Sequence, residues 1–423
     1  MTPELGLAAL WLAAALAVLQ IALAVLALAR GHDEAVGAAR AVAIVQGALA
    51  GVAMLALIRC FWISDMSVAL VAANSHSMKP WLYKIAGAWG NHEGSMLLWV
   101  TILGLAGAAV AKLERRLPDA TLVATLGAQA AIALGFYAFL LFASNPFARL
   151  NPAPPDGAGL NPLLQDPGLA FHPPTLYAGY VGLSVAFSFA VGRRPSTSAG
   201  VVRHELVESE GGTAVITKAP VDTKPPVDPG RRAGNIAMSL TWLAAGTLLV
   251  GVVLRGVWAG RVPWGNMYEF SITAALGVLA VFLGMSVKRD LRWLGLFVVT
   301  PTLLWLGLAV TVLYTEAAQL VPALKSYWLA IHVSAAIISF GAFSFSAATS
   351  LLALLRSRQE RRAAGGDVVG WASRLPSAER LETLTARVIS FAFPLWTFAV
   401  VAGAIWAENA WGRYWGWDPK ETW

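Results

Sequence analysis

Apolar residues run along this chain in blocks too long and too uniform for an amphipathic helix or an alternating strand. Ten blocks, at 6–29, 41–62, 95–111, 120–143, 174–192, 236–258, 267–287, 293–313, 328–355 and 388–407, are separated by segments rich in Gly, Pro, Asn and charge. About 20 such residues in a helix cross the roughly 30 Å hydrocarbon layer of a bilayer. Inside that layer a helix satisfies its own backbone hydrogen bonds, which an isolated strand cannot do. The pattern predicts an all-α, polytopic integral membrane protein with about ten transmembrane helices. The first block begins within MTPELGLAAL, without a basic leader or a small-residue cleavage site, and is read as a retained helix.

The longest polar interruption divides the blocks five and five. Residues 193–235 hold five Pro and almost no large apolar side chains, a composition that predicts a disordered linker between two five-helix halves, 1–192 and 236–423. His204 within it reads as a solvated side chain. Lys and Arg set the orientation. With the N-terminus outside, the inner segments 30–40, 112–119, 193–235, 288–292 and 356–387 hold 22 of the 31 basic residues. That is a positive-inside bias shared by every inner segment, and with an even number of helices it places both termini on the outer face of the membrane. The linker is therefore cytoplasmic, and the inner segment 356–387 is expected to be partly helical.

Composition narrows the chemistry. The 423 residues are 57% hydrophobic and 13% charged with a mean hydropathy of +0.62, far from the roughly 25% charged residues of a soluble domain. The net charge of +7 is accounted for by the topology signal, and no basic patch interleaved with groove-reading elements points to nucleic acid. A single Cys excludes a disulfide framework, a Cys-based metal cluster and a C-x-x-C-H heme attachment site within the chain itself. Walker, dinucleotide, H-E-x-x-H and G-x-S-x-G signatures are absent, so nothing points to phosphoryl transfer or hydrolysis.

Candidate chemistry gathers at the outer ends. The 145–174 stretch carries so much Pro and Asn that neither helix nor strand is expected there. The segment IWAENAWGRYWGWDPKETW holds Trp406, Trp411, Trp415, Trp417 and Trp423, with Tyr414 among them. Aromatic belts form at bilayer interfaces, but five Trp in one segment also make a platform on which a flat ligand stacks. Gly412 and Gly416 let the backbone approach such a ligand, and Asp418 before Pro419 closes the run with a turn. A planar ligand carrying a metal needs an axial base. His332, in SYWLAIHVS, sits about one turn inside a membrane helix, either as that ligand or as a packing hydrogen bond. His172, in FHPPTLY, is fixed by Pro173 and Pro174 as a positioned ligand. His92, in WGNHEG, faces outward as a ligand or joins a helix-start network. His76 and His32 read as ordinary loop residues. Glu269, in PWGNMYEF, is either a proton relay or a satisfied interfacial carboxylate.

These residues carry a resemblance. WAENAWGRYWGWDPKETW resembles the tryptophan-rich "WWD" signature of the heme-handling family that assembles c-type cytochromes. Residues 236–423, through RVPWGNMYEF, LVPALKSYWLAIHVS and AFPLWTFAVVAGAIWAE, resemble the CcsA/ResC-type subunit of the system II cytochrome c synthase. Residues 1–192, through AGAWGNHEGSMLLWV and NPLLQDPGLAFHPPTLYAGYVGLSVAFSFAV, resemble the N-terminal part of the CcmF-type heme lyase. The linker then reads as a junction between two branches of the family. Both branches continue past WDPKETW with further helices and a second outer-face His, so the second half is expected to be shortened. The membrane-embedded His residues of both branches have no match.

What the resemblance implies is heme delivery. The Trp-rich segment, with Trp406, Trp411, Trp415, Trp417 and Asp418, and with Tyr414 and Trp423 beside them, would cradle heme b as substrate. His332 and His172 would be axial iron ligands, with His92 a weaker candidate. The thiols of a C-x-x-C-H apocytochrome c would add to the heme vinyls, the chain acting as a heme lyase or synthase subunit. Implied partners are a ResB-like membrane subunit, a thiol-reducing protein, and CcmH- and CcmE-like proteins. Two other readings remain: a heme exporter, and an inactive fusion fragment.

Overall fold

The apolar blocks become helices. The computed structural model describes residues 1–30, 33–159, 167–192, 229–315, 324–364 and 371–417. In chain order the helices are α1 (Thr2–Arg30), α2 (Asp33–Trp62), the short α3 (Ala69–Asn74) and α4 (Trp81–Gly87), α5 (His92–Leu113), α6 (Asp119–Phe142) and α7 (Pro167–Gly192). They continue as α8 (Pro229–Trp258), α9 (Met267–Ser286), α10 (Gly295–Thr311), α11 (Tyr327–Ala364) and α12 (Ala378–Trp411). Among the described residues the only strand-like pairing is one isolated antiparallel bridge, Val68 to Arg149. Among the described residues nine helices are long and apolar enough to cross a membrane. The tenth expected span, α10, has 17 residues, or about 26 Å at 1.5 Å per residue, near the lower limit for a crossing. The chain is an all-α, multi-pass membrane protein.

Small residues set how the helices approach. A Cβ at Gly341 of α11 would lie 2.7 Å from the Gly277 carbonyl oxygen of α9, and one at Gly47 of α2 would lie 2.5 Å from that of Gly104 in α5. Such contacts bring backbones together where burying apolar surface provides little drive, because lipid is as apolar as the side chains. Leu12, Leu19, Val25, Leu249, Phe391 and Phe398 remain exposed on the helix surfaces, as lipid-facing side chains do. One contiguous cluster of buried side chains runs from Ala9 to Ala392 and draws on both halves. α7 packs along α8 and also against α10. At the end expected to face inward, Arg232 of α8 pairs with Glu114, just beyond α5, at 2.9 Å.

The start of α7 departs from the sequence expectation. α7 begins at Pro167, so the irregular stretch expected through 174 ends earlier and His172 lies within helical backbone. Proline suits a first helical position because its missing N–H has no intrahelical acceptor there. Pro173 and Pro174 do lie inside the helix, where each removes a backbone donor. The 64–91 segment is partly helical, in α3 and α4. Beyond the apolar blocks, α11 and α12 extend into the polar segment expected to face inward, where Arg356 donates to Glu360 at 2.8 Å and to the Ala372 carbonyl at 3.1 Å. The expected linker, 193–235, lies outside the described residues as far as 228, as do His32 and His204.

Candidate functional site

α11 and α12 lie side by side and bring His332 to the first aromatic of the Trp-rich segment. His332 is half-buried, and its Nδ1 lies 2.8 Å from the Ala399 carbonyl oxygen on α12. A carbonyl only accepts, so Nδ1 carries the proton and donates, which leaves the Nε2 lone pair for another partner. Gly403 makes room for the ring, since a Cβ there would fall 2.7 Å from His332 Nδ1. Trp406 lies nearly parallel to the imidazole, 13° between planes and 6.2 Å between centroids. Trp411 meets Trp406 edge-on at 4.7 Å.

α12 ends at Gly412, which takes a left-handed φ of 69° open to a residue without a side chain. Beyond it Trp415 and Trp417 meet edge-on at 6.0 Å, and Trp417 itself has φ 59°. Trp411, Tyr414, Trp415 and Trp417 are all exposed. The Tyr414 hydroxyl donates to Glu408, which raises its pKa above the ordinary value. This cluster fits a planar ligand with an iron atom: an imidazole whose tautomer is fixed by a second bond, as metal-bound histidines are held, beside open aromatic faces. Asp418 and Trp423 lie outside the described residues. So does the side chain of His172, although its backbone is placed in α7.

His92 does not join this cluster. It is the first residue of α5, its ring meets Phe139 edge-on at 5.4 Å, and it lines a separate cavity of about 70 Å³ with Trp89, Tyr177, Tyr268 and Tyr314. His76 accepts from the Met78 N–H and lies 3.3 Å from Asp156, a structural place in the loops.

The sequence reading missed a charged knot. Glu269, 0% exposed, bonds Arg255 Nε at 2.9 Å and Arg261 Nη1 at 2.7 Å, and accepts from the Gly265 N–H at 2.8 Å. Arg255, 2% exposed, also donates to the Thr315 carbonyl and stands over the Tyr268 ring at 5.0 Å. Glu269 is therefore a satisfied carboxylate, held fully inside the protein and not at its surface. It ties together the end of α8, the 259–266 loop and the start of α9. Beside it a groove of about 710 Å³ runs between that loop and the start of α11. Its walls include Arg261, Trp264, Lys325, Tyr327 and Leu329. Leu329 packs with Val333 and Ile337 against Trp264 and Trp406, so the groove and His332 share one apolar wall.

A second missed feature is a repeated cap. Trp89-Gly90-Asn91 precedes α5 and Trp264-Gly265-Asn266 precedes α9. Asn91 accepts from the Gly94 N–H at 2.7 Å and Asn266 from the Glu269 N–H at 2.8 Å, with nearly the same extended backbone. The recurring Trp-Gly-Asn tripeptide was the available signal.

The comparisons with known proteins follow that repeat. The sequence signature described as "Cytochrome C assembly protein" matches residues 89–271 and again 264–423, each match starting at one of the two Trp residues. Over 191 residues, 45% of the chain, the sequence is 50% identical to the cytochrome c-type biogenesis protein ccl1 of Rhodobacter capsulatus, of which the match spans 29%. Over 209 residues, 48% of the chain, it is 42% identical to the cytochrome c-type biogenesis protein CcmF of Escherichia coli, of which 32% is matched. The chain thus spans about a third or less of these relatives. A solved structure, "Cytochrome c Heme Lyase CcmF", superposes on 96% of this chain and 62% of its own with a TM-score of 0.59, at 18% identity, a likeness of fold. Because the two signature matches together cover residues 89–423, more than half its length, the chain belongs to the cytochrome c assembly protein family.

Proposed function

We propose that the chain binds heme b at the outer face of a bacterial inner membrane and presents it for thioether attachment to an apocytochrome c. The observation that carries this reading is His332: Nδ1 is committed to the Ala399 carbonyl, and Nε2 is left as the ligating nitrogen beside Trp406. The exposed Trp411, Trp415 and Trp417 supply stacking surfaces, and Asp418 and Trp423 belong to the same segment. His172, at the start of α7, is the other proposed axial ligand, contributed by the first half. Both chain termini lie on the outer side in this arrangement, with 193–235 a cytoplasmic linker between a CcmF-like half, 1–192, and a CcsA/ResC-like half, 236–423.

The chemistry asks little of protein nucleophiles. Each thiol of a C-x-x-C-H segment adds across one heme vinyl: sulfur bonds to carbon, the vinyl double bond becomes single, and the thiol proton ends on the neighbouring carbon. The chain contributes position and an iron ligand, which fits the lack of catalytic motifs. The thiols must arrive reduced, so a thiol-reducing protein is a required partner. A ResB-like subunit and CcmH- and CcmE-like proteins are the proposed assembly partners.

Expression of the full chain with a C-x-x-C-H reporter, in a bacterium lacking its own cytochrome c maturation, tests this. Covalent heme on the reporter, lost with His332→Ala, is the expected result. Heme bound to the chain while the reporter stays unmodified, with and without the proposed partners, would overturn ligation in favour of transport or an inactive fusion.

A further inference from the structure

Two cationic side chains border the groove beside His332, and neither is used by iron ligation or ring stacking. Arg261 lies in its wall as part of the knot in which two arginines face the one carboxylate of Glu269. Lys325, exposed, stands on the opposite wall just before α11. Trp264 also lines the groove and buries its indole Nε1 without a hydrogen-bond partner among the described residues. A donor in that position is matched by an acceptor brought by a ligand. The groove, about 710 Å³, is of the size that holds cofactor-sized ligands.

We infer that this groove receives the carboxylate arms of a porphyrin whose iron is held by His332, with Lys325 as the principal side chain contacting them. The inference rests on the heme reading given above and deepens it. Tyr327 at the groove and His332 are five positions apart, about 7.5 Å along the helix axis, comparable to the reach from a porphyrin's iron to its carboxylates. The carboxylates then face the watery end of α11 and the iron lies deeper, so neither charged group is desolvated without a partner. The two carboxylates leave the macrocycle from the edge opposite its two vinyls. Holding the acid edge in the groove therefore places the vinyl edge on the far side of the iron from the groove. The groove specifies the ligand class as a planar dicarboxylate and also fixes how the ring is turned about its iron.

Titration of the purified full chain with hemin and with hemin dimethyl ester, each corrected for partition into empty micelles, reads this directly. The wild type is expected to bind hemin roughly tenfold or more tightly than the ester, the scale of one charge-assisted hydrogen bond. Lys325→Gln is expected to erase most of that preference while leaving ester affinity unchanged, and Lys325→Arg to retain it. Equal affinity for acid and ester in the wild type would overturn the inference, as would a preference that survives Lys325→Gln; either leaves heme binding intact. If the wild type binds neither porphyrin, the heme reading itself fails and the inference with it.

Discussion

At the level of single side chains, the candidate site depends on a contact that no periodicity reveals. His332 was legible as an ionisable residue inside a membrane helix, where such groups are rarely idle. Its commitment to the Ala399 carbonyl was not legible, because it needs α12 laid against α11 with Gly403 at the crossing. Gly403→Ala would push a methyl group to 2.7 Å from Nδ1. The expected outcome is a loss of about 1–3 kcal/mol from overpacking, with weaker heme binding, measured by thermal unfolding and heme titration in detergent. A second side-chain effect lies in the loops. The Ser77 hydroxyl, foremost, then the Gly157 and Ser77 N–H groups and nearby His76 hold Asp156 down to a pKa of about 2. A carboxyl with a depressed pKa stabilises the fold above its ordinary value of 3.8, and that contribution disappears as pH falls through about 2. Amide exchange across residues 67–79 is expected to speed up over that window after correction for intrinsic rates. Asp156→Asn should show the fast behaviour already at pH 5, and unchanged exchange in that variant would refute the assignment.

Elements were the most legible scale. Long apolar blocks dictate membrane helices, and every block found in the sequence lies within or overlaps a helix of the structure. Their ends were less legible, because polar residues continue α11 to Ala364 and start α12 at Ala378 without any apolar signal. The start of α7 at Pro167 was missed because proline, read as a breaker, also suits a first helical turn. The Glu269 knot belongs to this scale, since it fastens α8 to α9 across a loop containing Gly265. It escaped the sequence reading because Arg255 and Arg261 look like interfacial charges until the loop folds back. Glu269→Ala leaves Arg255 buried and unpaired and should cost about 3–5 kcal/mol. A large fall in melting temperature is the measurement that checks it, and replacing Arg255 with Met in the same chain should recover part of the loss.

Over the whole molecule, the two halves share one core. α7 packs along α8 and against α10, and Arg232 of α8 pairs with Glu114 beyond α5. Chains 1–192 and 229–423 produced as separate polypeptides in one membrane are therefore expected to copurify, and independent migration of the pieces would contradict a shared core. The hydropathy pattern predicts a five-and-five division of helices but not this packing, which depends on small residues on facing helices. The repeated Trp-Gly-Asn cap was visible at positions 89–91 and 264–266, yet its meaning emerged only when Asn91 and Asn266 were seen to start α5 and α9 in the same way. The Trp-rich segment was legible as a dense run of aromatics, whereas its neighbouring groove was invisible because its walls come from residues 259–265 and 324–330.

One measurement bears most directly on heme ligation: the visible spectrum of the purified full chain carrying His332→Gly, recorded with and without added imidazole. A Soret band present in the wild type, lost in the variant and restored by imidazole is the expected result, because imidazole replaces the missing ring in the space beside Gly403 and Trp406. A variant that keeps the wild-type spectrum without imidazole would show that the iron is held elsewhere and contradict the role assigned to His332.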